Sequence, residues 1–327
     1  MKDLPKIELH LHLEGAAPPA LIRAVAAEKH IDLSGIFDPR GAYRFRDFAE
    51  FLKVYEAATS VLTTPEDFGR LTAAICAELA EEGVIYAEVF LSPDFCGGGD
   101  IGAWREYLSA IEGAAAAAEA QGGPILKGIV TCIRHFGPER AKGPALCAAE
   151  TAGDMIVGFG IAGDERTGAP KDYAWAFDCA REAGLSLTAH AGEWRGPDSV
   201  REAVRDLGVS RIGHGVRAIE DLALVEELAE NGIVLEVCPG SNVALGVYPR
   251  LVDHPIDKLR ARDVPVTVST DDPPFFHTTL SREYEALADA FGWAEDDFAS
   301  LNQASARAAF CDAPTRATLL KALEARP

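Results

Sequence analysis

The sequence predicts an α/β protein, a (β/α)8 TIM barrel with extra helices inserted after strand 1. Three observations predict it. Short apolar or β-branched runs recur eight times along the chain, each is followed by a stretch with helical periodicity, and no break in composition divides the 327 residues. Alternation of this kind builds a parallel sheet whose crossovers are helices, and barrels of this class commonly reach this length as one domain, here residues 1–327.

The eight runs are Ile7 to Leu13, Val84 to Leu91, Leu126 to Ile133, Met155 to Ile161, Leu185 to His190, Ser210 to His214, Ile233 to Val237 and Pro265 to Thr270. Between them, Ile111 to Ala120, Tyr173 to Ala183, Pro197 to Leu207 and Ile219 to Glu230 have the spacing of amphipathic helices. The first connection, Gly15 to Gly83, is far longer than the rest and has room for three helices, one of them aromatic at Phe45 to Leu52. Long insertions after a barrel strand tend to form lids. Phe48, Phe51 and Leu52, with Tyr55, either pack this helix on the barrel or wall a substrate pocket, and the two roles are compatible.

Composition narrows the function. Hydrophobic residues make up 48% and charged residues 25%, ordinary values for a globular protein. The net charge of -20 repels nucleic-acid backbones and anionic membrane surfaces, which favours a neutral or cationic small molecule as partner. Seven cysteines without CxxC spacing read as reduced, buried thiols. The N-terminus shows no signal peptide and no run is long and charge-free enough to span a bilayer, so a cytoplasmic protein is expected.

The chemistry concentrates at strand ends. His10 and His12 are two apart in the first run and therefore share one face of a strand. His190 ends the fifth run and Asp271 follows the eighth, on the side where a barrel places its active site. Three imidazoles and one carboxylate with a position left for water suit one Zn2+ ion best, ahead of iron, cobalt or manganese. Glu193, three residues past His190, can carry a proton to a ring nitrogen beside that ion. His214, after strand 6, can take a proton from the metal's water or orient the hydroxide. Asp272 points away from Asp271 and can bond a substrate, while Gly163 after strand 4 lets a backbone N–H approach one closely. Cys238, in Cys238-Pro239-Gly240-Ser241-Asn242, has no base suggested nearby and reads as packing; Arg134 and His135 read as structural, with a possible share in supporting the metal.

These segments together resemble the adenosine and AMP deaminase family, from Pro5-Lys6-Ile7-Glu8-Leu9-His10-Leu11-His12-Leu13-Glu14-Gly15 through Ala162-Gly163-Asp164-Glu165, His190-Ala191-Gly192-Glu193 and Gly213-His214-Gly215 to Ser269-Thr270-Asp271-Asp272-Pro273. The resemblance spans nearly the whole chain. It implies one zinc ion held by His10, His12, His190 and Asp271, hydroxide attack at C6 of a purine, a proton from Glu193 to N1, His214 on the water's proton, Asp272 at N7 and the Gly163 N–H at N3. The expected reaction is hydrolytic deamination of adenosine and 2'-deoxyadenosine to inosine and deoxyinosine, with a purine nucleoside as small-molecule partner.

One position departs from that pattern. Adenosine deaminases carry Asp where this chain has Glu14, the residue that meets the ribose 5′-hydroxyl, and Glu is common in relatives acting on other purines. Against a free-base substrate stand Gly213, where adenine deaminases of the family tend to have Asp, and the sequence after strand 4. Adenosine is therefore the expected substrate, with adenine or 6-aminodeoxyfutalosine as alternatives within the family. Another metal-dependent amide or phosphoester hydrolase is a remoter alternative, since strand 4 ends without the bridging lysine of two-metal sites. A binding module without turnover would lack the catalytic groups, yet Glu193 and His214 are both present.

Overall fold

The computed structural model describes residues 1–2 and 4–324. Among them, eight parallel strands pair in chain order: β1 (Lys6–His12), β2 (Val84–Leu91), β3 (Ile125–Ile133), β4 (Ile156–Ala162), β5 (Ser186–Ala191), β6 (Arg211–His214), β7 (Val234–Val237) and β8 (Val266–Val268). These segments are strands because their β-branched and apolar residues pack against helices on one side and fill the barrel on the other. Leu11 of β1 and Leu13 just beyond it join the main hydrophobic core, Ile7 and Leu9 join a smaller cluster, and Glu8, His10 and His12 belong to the alternate set that faces inward. The seam between β8 and β1 is closed beyond the regular strands by a parallel bridge between Leu11 and Asp271. There the Asp271 N–H donates to the His10 carbonyl and the His12 N–H to the Asp271 carbonyl, each at 3.0 Å.

The insertion after β1 holds α1 (Pro19–Glu28), α2 (Phe48–Thr59) and α3 (Pro65–Glu81), the expected three helices. The aromatic helix begins at Phe48 rather than Phe45, because the Asp47 carboxylate accepts the Glu50 N–H and caps it there. The remaining crossovers carry α4 (Ile101–Glu119), α5 (Lys142–Glu150), α6 (Ala174–Glu182), α7 (Pro197–Glu202), α8 (Leu222–Glu230), α9 (Pro239–Ala244) and α10 (Ile256–Arg260). After β8 come α11 (Pro273–Phe276), α12 (Leu280–Phe291), α13 (Glu295–Ala308) and α14 (Ala313–Glu324). The last two helices close the N-terminal end of the barrel. Ala306, Leu319 and Leu323 pack there with Ile7, Leu9 and Tyr86, and Asn302 of α13 accepts the Ile7 N–H at 2.9 Å.

The barrel interior is polar along one line. Arg211, fully enclosed, binds Glu88 at 2.7 Å and Glu236 at 2.5 Å. Glu236 in turn accepts from Thr188 and sits 2.7 Å from His10 Nδ1. A buried charge is tolerated only when paired and hydrogen-bonded, and this chain of pairs runs from the barrel floor to its mouth. All seven cysteines are free thiols, and no helix among the described residues is long and apolar enough to cross a membrane.

Candidate metal centre and cavity

Four side chains expected to share an ion come together at the mouth of the barrel. His10, His12, His190 and Asp271 each bring a ligand-type atom within 4.8 Å of the others. His12 Nε2 and His190 Nε2 are 3.2 Å apart, and the Asp271 Oδ1 lies 3.3 Å from His12 Nε2 and 3.6 Å from His10 Nε2. Bonds of ~2.0–2.1 Å to a tetrahedral ion give ligand separations of about 3.4 Å, so the spacing fits a cation such as zinc at their centre. His10 Nε2 is buried and has no hydrogen-bond partner, as a ligand atom aimed at an ion should be. These residues could hold one metal ion.

The backbone explains the convergence. His10 and His12 point the same way by the period of two, and the parallel register sets His190 of β5 beside Gly213 of β6. A Cβ at residue 213 would stand 2.8 Å from His10 Cε1 and 3.2 Å from His190 Nδ1, so the glycine makes room for two imidazoles. Asp271 and His214 both adopt positive φ, +66° and +61°. Left-handed backbone at non-glycine residues costs on the order of 1–3 kcal/mol each, and here it turns both side chains into the mouth. Ser241 then donates to Asp271 Oδ2 at 2.7 Å, and Glu236 fixes His10 through Nδ1.

A cavity opens above this cluster. It is lined by His12, His190, Asp271 and all the other site residues expected from sequence except His10, which lies enclosed beneath: Glu14, Phe48, Phe51, Leu52, Gly163, Glu193, His214 and Asp272. The aromatic helix therefore both packs and walls the cavity, with Phe48 at 4.8 Å from Trp194 and Phe51 against Phe275 and Phe276. Glu14 is 2% exposed, and burial pushes its carboxyl up to about 7. Gly15 matters beside it, because a Cβ there would fall 1.6 Å from the Asp272 Oδ1.

Electrostatics divides the acids into two kinds. Burial raises the Asp271 carboxyl, but the imidazoles of His10, His12 and His214 beside it outweigh that and hold it well below the usual carboxylate range. Glu193 is held well above it by burial and by the charges of Asp271 and Glu165. Asp272 is raised for the same reasons, by burial and then by Asp271, Glu193 and Glu14. One carboxylate is thus fitted to bind a cation, and two neighbours are fitted to keep protons. Burial holds His214 neutral, down to about 3, with its Nε2 3.9 Å from Glu193 Oε1 and 3.9 Å from Asp271 Oδ2.

Glu165, Phe90 and Glu236 escape the sequence reading, whereas Arg134 and His135 are read there as structural neighbours of the site. Glu165 accepts the backbone N–H groups of Gly192, Glu193, Trp194 and Arg195 at 2.6, 3.1, 2.6 and 2.9 Å and the Ser199 hydroxyl at 2.5 Å, so it holds the whole loop that carries Glu193. Arg134 donates to the His190 carbonyl at 2.9 Å, and His135 lines the cavity while accepting the Asp164 N–H at 3.3 Å. Phe90 of β2 packs its ring 4.7 and 4.8 Å from those of His10 and His12. The signal for Glu236 was a lone charge inside the apolar run Ile233 to Val237. Cys238 is fully buried and donates to the Glu236 carbonyl at 3.7 Å, and its sulfur also comes within 4.8 Å of ligand atoms of His214 and Asp271.

Comparison with known proteins bears on what this cavity takes. The family model described as adenosine deaminase matches residues 5–326. An adenine deaminase of Rhizobium rhizogenes is 50% identical over 98% of this chain and 99% of its own length, and one of Agrobacterium fabrum is 48% identical over 98% of each. The crystal structure of an adenine deaminase from Arthrobacter aurescens superposes with a TM-score of 0.90 at 31% identity, covering 98% of both chains. An amidohydrolase from Burkholderia ambifaria, solved with bound Zn, superposes with a TM-score of 0.85 at 26% identity over 99% of this chain and 94% of its own. The expectation of adenosine and deoxyadenosine as substrates is overturned by the relatives near 50% identity, which are adenine deaminases along their full length. Gly213 misled that expectation: it is required by the packing of His10 and His190 and is silent about the substrate.

Proposed function

Because this chain belongs to the adenosine deaminase family of metal-dependent hydrolases, we propose that it deaminates the free base adenine, converting adenine and water to hypoxanthine and ammonia. The observation that carries the reading is the meeting, in one cavity, of the proton-keeping Glu193 with a three-imidazole, one-carboxylate cluster. The family and the full-length likeness to adenine deaminases support the choice of substrate.

His10, His12, His190 and Asp271 would hold the metal, and zinc is the ion that their donor set favours. Such an ion supplies a nucleophile at neutral pH by lowering the pKa of water to about 7. Glu193, kept protonated by its surroundings, gives its proton to N1 of the purine and makes C6 electrophilic. Asp272, also protonated, donates its O–H to the N7 lone pair, and the Gly163 N–H donates to N3. Glu14 supplies the distinction between base and nucleoside. A free base carries an imidazole N–H where a nucleoside carries its sugar, and the Glu14 carboxyl, one methylene longer than Asp, accepts that N–H. Phe48, Phe51 and Leu52 cover the ring and exclude water.

The test is a substrate panel on protein of known metal content. Adenine should have a specificity constant at least a hundredfold above that of any adenine nucleoside, including 6-aminodeoxyfutalosine. A nucleoside that matched or exceeded adenine would overturn the proposal.

A further inference from the structure

We propose that Asn242 and His254 are positioning residues that set the tautomer of His214, so that this imidazole serves the reaction as a hydrogen-bond donor from Nε2 and not as a base. The inference rests on the reading of the cavity as a deaminase site and deepens it.

One group in this line of hydrogen bonds has a fixed direction. The backbone N–H of Ile256 can only donate, and it points at His254 Nδ1 at 3.2 Å. His254 Nδ1 is therefore bare. Burial keeps this imidazole neutral, so its one proton sits on Nε2. Nε2 lies 3.1 Å from the Asn242 Oδ1 and donates to it, which fixes the orientation of the amide. The other end of that amide, Nδ2, lies 3.2 Å from His214 Nδ1 and donates in turn. His214 Nδ1 is bare by the same logic, and its single proton is on Nε2, facing Glu193 and Asp271. All three side chains are buried, at 1% exposure or less, so water does not offer a substitute partner. Reversing any one link would set two N–H groups or two lone pairs against each other.

An imidazole in this state has no free lone pair toward the cavity. It can stabilise negative charge on the attacking oxygen through its N–H, as the donors of an oxyanion hole do, and it transfers no proton. The sequence Cys238-Pro239-Gly240-Ser241-Asn242 thus serves the site twice, through Ser241 on Asp271 and Asn242 on His214.

The primary test is spectroscopic. In zinc-loaded protein labelled with 15N-histidine, with His214 assigned by its loss in His214→Asn, Nδ1 should give the signal of a bare nitrogen and Nε2 that of a protonated one. A proton on Nδ1 would overturn the proposal. Asn242→Asp replaces the donor with an acceptor and should move the proton to Nδ1, lowering kcat for adenine by about a hundredfold or more with KM within threefold and zinc content unchanged. Wild-type kcat with the tautomer inverted would remove the donor role. His254→Gln, whose amide can still donate to Asn242, should keep more than a third of kcat, whereas His254→Leu should lose at least tenfold; equal activity in the two would count against the relay. Should Asn242→Asp fail to fold, the wild-type spectrum and the His254 pair decide. If wild-type protein ignored adenine altogether, the substrate reading would fail while the spectrum still judged the tautomer.

Discussion

Glu193 and Asp272 hold their protons for one shared reason: each is buried beside other carboxyl groups, and charge there is unfavourable. Glu193→Gln keeps the shape and removes the acid, so it should bind zinc at the wild-type stoichiometry while kcat falls by about 10²–10⁴, as checked by metal analysis and steady-state kinetics. The sign of the pH effect follows from the direction of the shift. A carboxyl raised above its ordinary value is the active acid below its pKa, so activity assigned to Glu193 is lost on the alkaline side and the loss should vanish in Glu193→Gln. Glu14→Ala should reduce kcat/KM for adenine at least tenfold, since the base loses the acceptor for its N–H; an unchanged value would remove Glu14 from recognition. The convergence of His10, His12, His190 and Asp271 was legible at this scale because residues two apart on a strand share a face and the strand ends of a barrel meet at one mouth. The substrate was not, because Gly213 weighed toward a nucleoside although the packing of His10 and His190 accounts for a glycine there.

The strands could be read to within a residue or two because parallel strands are buried on both faces and appear as unbroken apolar runs. What such a reading passes over is the polar residue inside the run. Glu236 of β7, Glu88 of β2 and Arg211 of β6 face the barrel interior, and they matter because they orient His10. Glu236→Gln should weaken zinc affinity about 10–100-fold in competition with a chelator while circular dichroism stays unchanged. The helix boundaries in the insertion depended on caps. Asp47 starts α2, and Thr64 with Asp67 forms a capping box at α3, local signals that decide where an aromatic run begins to be helical. Glu165 was invisible as a function because its partners are the backbone amides of a loop 27 to 30 residues away.

Across the molecule, the enclosed acids make stability depend on pH. Burial raises Glu8 from 4.5 to about 7 despite bonds from Ser269 and Thr270, so the folded state holds a proton that the unfolded state releases between those values. Its contribution is intact at acidic pH and is lost as pH rises through that window, an effect of ~3 kcal/mol for a shift of this size. Glu8→Gln should remove that share of the slope in denaturant unfolding measured at pH 5 and pH 8; an unaltered slope would place the proton elsewhere. The closing bridge between Leu11 and Asp271 has a consequence of its own. The same aspartate that would grip the cation also knits the first and last strands of the ring, through backbone bonds to His10 and His12. Stripping the ion should thus unlatch one particular staple in an otherwise continuous hoop, and deuterium uptake should quicken at the amides of His12 and Asp271 while the opposite wall stays protected.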